Sequence, residues 1–127
     1  HPSNGRTPYL VENTINIDTF NPASGDVIQA LDIPAETLIM QAGIEVITAL
    51  SSSVTMDLGI TGGDVDNFVD GDGNGTGYSV LTATANLVVA SADTLDVVVL
   101  GAQAAVGKIR VWAVLCDVSG IDETDHN

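Results

Sequence analysis

The sequence predicts an all-β protein: a single-domain antiparallel β-sandwich, jelly-roll-like, of about eight strands. Three observations carry that expectation. Apolar and polar residues alternate with period two in several separate segments. Those segments are divided by clusters of Gly, Asp, Asn, Ser and Pro, the residues that tight turns require. Val, Ala, Leu and Ile dominate an apolar fraction of 45%, with only two Phe, two Tyr and one Trp. Branched aliphatics of that kind fill closely packed sheets. At 127 residues the chain is the length of one domain. Eight strands without a Cys…Trp…Cys pattern favour a jelly roll over an immunoglobulin-like sandwich. No 20–50-residue period repeats, which argues against solenoids and propellers.

The elements follow in order. Residues 1–8, HPSNGRTP, form a flexible N-terminal arm. The sandwich domain spans 9–118. Its first strand runs from Tyr9 to Ile17, with Tyr9, Val11, Ile15 and Ile17 on one face. FNPASGD is a loop, and Val27 to Leu31 a strand ended before Pro34. The longest pattern, Thr37 to Leu50, places Leu38, Met40, Ala42, Ile44 and Val46 on one face and Ile39, Gln41, Glu45 and Ile47 on the other. Its length and Gly43 imply a bend or bulge near that glycine. Ser51 to Ser53 turns into a strand over Val54 to Ile60. Residues 59–77 read as a long Gly- and Asp-rich loop with one turn near Phe68 and Val69. Tyr78 to Ala83 and Asn86 to Ala90 are short strands. Asp93 to Leu100 alternates cleanly. In Lys108 to Val118, Ile109, Val111, Ala113 and Leu115 oppose Lys108, Arg110, Trp112, Val114 and Cys116. Residues 119–127 form a polar tail. No helix is expected.

Charge narrows the function. Seventeen acids against three bases give a net charge of −14. Nucleic acid is excluded as a partner, because phosphate binding needs clustered Lys and Arg. Anionic membrane surfaces are excluded on the same ground, and no apolar run is long enough to span a bilayer. An acid excess keeps a multi-copy protein from sticking to itself.

Little side-chain chemistry is on offer, so no catalytic residue is assigned and the chain reads as a non-enzyme. A nucleophile needs a base within reach, and the two histidines are His1 and His126, in the terminal segments. One cysteine, Cys116, cannot form an intrachain disulfide and reads as a small buried hydrophobe. One motif is sharper. Asp70-Gly71-Asp72-Gly73-Asn74-Gly75 matches the opening of a calcium loop, in which alternate oxygens converge on a hard cation. Asp70, Asp72 and Asn74 are therefore candidate ligands of a structural calcium; otherwise no cofactor is expected. Leu81 stands where the loop's closing Glu belongs, and the same residues also make an ordinary acidic turn. The candidate interface residues are Arg6, Lys108, Arg110 and Trp112. Lys108 and Arg110 share a strand face, where they either reach acids of a neighbouring subunit or discourage strand-to-strand aggregation.

In the order TPYLVENTINI, then GDVIQALDIPAETLIMQAGIEVITA, then ASADTLDVVVLGAQAAVGKIRVWAVLCDV, the chain resembles small virion proteins of tailed, marine-type bacteriophages. The resemblance covers most of residues 7–118. It implies a capsid decoration, or cement, protein on the outer capsid surface, often a homotrimer, with the major capsid protein and further copies of itself as partners. No residue-level role carries over. Two other classes fit the composition: a calcium-stabilised extracellular binding module, and a filament or pilus subunit in which Tyr9 to Ile17 adds to a neighbour's sheet.

Overall fold

The computed structural model describes residues 6–60, 68–73, 75–80 and 87–119. Its strands are β1 (Tyr9–Asn16), β2 (Val27–Ile33), β3 (Thr37–Thr48), β4 (Thr55–Ile60), β5 (Val69–Asp72), β6 (Gly77–Val80), β7 (Leu87–Val89), β8 (Asp93–Leu100) and β9 (Lys108–Asp117). A short helix, α1, covers Ile17–Phe20.

The strands form two antiparallel sheets. One runs β1-β9-β3, with β6 and β7 sharing the far side of β3. The other runs β2-β8-β4-β5. Consecutive strands cross between sheets, except β4 to β5 and β6 to β7. With β6 and β7 counted as one interrupted strand, this is the eight-strand jelly roll that the alternation predicts.

The core lies between the sheets. Ile109, Val111, Ala113 and Leu115 of β9 are fully buried, as are Leu95, Val97 and Val99 of β8 and Met56 and Leu58 of β4. Each set occupies alternate positions, so period two converts directly into one inward face. Phe68 closes the β5 end of the core and is fully buried. Its N–H donates to the Leu58 carbonyl at 2.9 Å.

Four details differ from the sequence expectation. Ile17 leaves the first strand and enters α1. Its N–H donates to the Gly107 carbonyl at 2.9 Å, and Asn21 ends the helix in the left-handed conformation. The second strand continues to Ile33, and an irregularity between Gln29 and Leu31 turns both Ala30 and Leu31 inward. In β3 the bulge falls at Met40 rather than Gly43. Ile39 pairs with Leu115 and Gln41 with Val114, which leaves Met40 as the extra residue. One inserted residue flips the parity of all that precedes it. Ile39 therefore joins Ala42, Ile44 and Val46 in the core, while Leu38 faces outward. Finally, the expected long loop contains a real strand, since β5 pairs with β4 through Met56↔Asp72 and Leu58↔Val69.

Candidate interaction surface

The outer face of the β1-β9-β3 sheet gathers three of the four candidate interface residues, Lys108, Arg110 and Trp112. Its register builds rows across three strands. Leu10, Val114 and Gln41 form one row; Glu12, Trp112 and Gly43 the next; then Thr14, Arg110 and Glu45; then Asn16, Lys108 and Thr48. Beyond the first row, Cys116 pairs with Leu38, and Leu38 with Val88.

One end of this face is apolar. Leu10 is 60% exposed, Val88 56% and Met40 38%. Trp112, Val114, Cys116 and Leu38 beside them are half-buried. A pure alternation would put polar residues at these outward positions. Scattered apolar side chains are ordinary on a surface, but a contiguous group marks a contact. Among the described residues, the Trp112 indole N–H is buried without a hydrogen-bond acceptor. Buried donors are almost always paired.

The other end is charged and balanced. The Arg110 guanidinium pairs with Glu45 across to β3 and approaches Glu12 of β1 at 3.6 Å. At the opposite end of the sheet, past the apolar rows, Arg6 donates to the Asp117 carbonyl at 3.0 Å and lies 3.6 Å from its carboxylate. The Asp117 carboxyl is held below its ordinary value of 3.8. The main cause is the Ser119 N–H donating to it at 2.9 Å, then the Ser119 hydroxyl, with Arg6 a smaller contribution. Arg6 and Arg110 are thus engaged with acids of their own chain. Lys108 is exposed and has no ion-pair partner among the described residues.

The second sheet is different. Its strands carry Asp32, Asp57, Asp70, Asp72, Asp93 and Asp96 and no Lys or Arg. Asp57 and Asp96 are buried there. Asp57 accepts the Gly71 N–H at 2.7 Å, and Asp96 the Thr94 hydroxyl at 2.7 Å. Of the candidate calcium ligands, Asp70 and Asp72 lie on β5, paired with β4 across a bulge at Asp70 and Gly71 where Gly71 has φ +77°, and Asn74 lies outside the described residues. Among the described residues no group of three or more His, Cys, Asp or Glu is placed to hold a metal. The strand proposed for exchange between subunits, β1, pairs along its whole length with β9 of its own chain, from Tyr9↔Leu115 to Asn16↔Lys108.

Three solved structures share this architecture. A chain in the cyanophage Pam1 capsid asymmetric unit matches with a TM-score of 0.71 and 13% identity, over 90% of this chain and 87% of that one. A chain of the Ralstonia phage GP4 capsid matches with a TM-score of 0.67 and 16% identity, over 90% and 85%. A chain in the acidic stable capsid structure of Helicobacter pylori bacteriophage KHP30 matches with a TM-score of 0.66 and 13% identity, over 87% of each.

The fold is one found in phage capsids. Near-equal coverage on both sides means that each matched chain is about as long as this one. No protein-family model matches the chain, and no curated protein does.

Sequence reasoning found Arg110, Lys108 and Trp112 on one face but missed Leu10, Leu38 and Val88. The signal was present for Leu10, which stands where the alternation in TPYLVENTINI calls for a polar residue. It was absent for Leu38, because only the bulge at Met40 turns it outward.

Proposed function

We propose that the chain is a non-enzymatic structural protein of a phage virion, which decorates and stabilises the outer capsid surface as an oligomer, with a trimer expected. The observation that carries the reading is the near full-length likeness to three chains found in phage capsids, each of about this size. Low identity with a retained sandwich fits a protein whose task is to fold, repeat and adhere, since function of that kind sits in surfaces rather than in a fixed catalytic set. Its partners are then the major capsid protein and further copies of itself, without nucleic acid or membrane. The acid excess suits an exterior coat present in many copies.

Binding to shells tests this. Capsid shells of the source phage, stripped of this protein, are mixed with the purified chain and pelleted. Saturable co-pelleting at a fixed number of copies per shell is expected, together with slower shell rupture on heating. A chain that stays in the supernatant at every concentration contradicts the proposal.

A further inference from the structure

The strands divide the charge of the molecule unequally. On the outer face of the β1-β9-β3 sheet, Glu12 and Glu45 are matched by Arg110 and Lys108. That face is electrically balanced in a molecule of net charge −14. The β2-β8-β4-β5 sheet carries acids alone. Two copies that approach through the acidic sheet repel each other. Two copies that approach through the balanced sheet do not, and there they meet apolar side chains at Leu10, Val88 and Met40. A surface bearing both signs is also self-complementary: Lys108 of one copy, exposed and without an ion-pair partner among the described residues, finds carboxylates anywhere on the next.

From this segregation of charge we infer that the outer face of the β1-β9-β3 sheet is where a second copy of this chain docks. This bears on the oligomeric part of the function proposed above and rests on it only there: a face that docks on its own copy closes a two-fold pair, so this interface makes a dimer, and a trimer needs a further contact. Leu10, Val88, Met40 and Trp112 form the apolar centre, with the Arg110 ion pairs and Lys108 at the rim. The centre buries apolar surface and supplies the attraction. The rim sets orientation.

Sedimentation velocity of the purified chain, without shells, tests the inference at low and high sodium chloride. An oligomer at micromolar concentration is expected, with association tightening as salt rises. Screening weakens the repulsion between two acidic molecules and leaves apolar burial in place. The double variant Leu10→Asp with Val88→Asp is expected to sediment as a monomer while keeping the wild-type far-UV circular dichroism spectrum. Should that variant fail to fold, Lys108→Glu decides, because its site is exposed. It is expected to weaken association about tenfold or more at low salt and to recover at high salt. A wild-type monomer at all salt concentrations overturns the inference, as does a folded double variant that assembles like wild type, or Lys108→Glu with unchanged association. A wild-type monomer that still binds shells overturns this inference alone. An oligomer that ignores shells contradicts the decoration role alone.

Discussion

Two glycines show how one missing Cβ shapes this sandwich. Gly101 ends β8 at φ +86°, and a Cβ there would lie 2.2 Å from the Ser53 carbonyl oxygen, a backbone atom that cannot rotate away. Gly25 has a similar φ of +95°, yet nothing lies within 4 Å of its absent side chain. Gly25→Ala is therefore expected to cost only the backbone penalty, about 1 kcal/mol. Gly101→Ala adds a clash and is expected to cost about 2–4 kcal/mol. Urea denaturation of the two variants checks the difference, and equal losses contradict the close approach at Ser53. Charged residues separate in the same way. Arg110→Ala leaves Glu45 facing outward without its partner, on a side chain only 16% exposed. A loss of about 1–2 kcal/mol is expected, against less than about 0.5 kcal/mol for Lys108→Ala. Asp117 supplies a pH test. Its folded pKa is depressed, so its favourable contacts are complete above the ordinary value of 3.8 and are lost as pH falls through the lower folded value. Carbon-detected NMR should place the Asp117 midpoint below 3.8. Arg6→Ala should raise it only slightly, because the Ser119 hydrogen bonds contribute more.

At the scale of elements, β3 shows what alternation does and does not reveal. Strands β8 and β9 were legible because each keeps one unbroken period of two. In β3 the same rule located the strand and its outer limits but reversed Leu38 and Ile39. A bulge leaves no mark in composition: Met40 is a residue any strand accepts, and the position is set by pairing with Leu115 and Val114 on β9. The β5 strand escaped for a related reason. Asp70-Gly71-Asp72 carries turn residues, and the bulged ladder with β4 and the Asp57 carboxylate at the Gly71 N–H hold it against the sheet. The bulge makes a sharp prediction. Ile39→Ala should cost about 2–5 kcal/mol by opening a core cavity, whereas Leu38→Ala should cost under about 1 kcal/mol. Reversal of that order in a thermal-melt comparison contradicts the placement of the bulge.

For the whole molecule, two faces of one sandwich carry different chemistry. Fold class and the sharing of a strand face by Lys108, Arg110 and Trp112 could be read from the sequence, because both follow from period two. The balance of charge on one sheet and the acids-only character of the other could not. That property depends on which strands become neighbours, and jelly-roll crossovers bring together residues as distant as Glu12, Glu45 and Arg110. The consequence is an oriented subunit, with an adhesive, balanced face and an acidic, repelling one. With the balanced face taken up by a second copy, as inferred above, the acidic sheet is left to solvent, which suits a repeated subunit that must stay soluble.

Cryo-electron microscopy of the virion that carries this chain tests the central claim most directly. Jelly-roll density is expected at fixed lattice positions on the outside of the capsid, with the β1-β9-β3 face covered by protein and the Asp-rich sheet turned toward solvent. A virion with no such density, or with the chain inside the shell against packaged DNA, would contradict it.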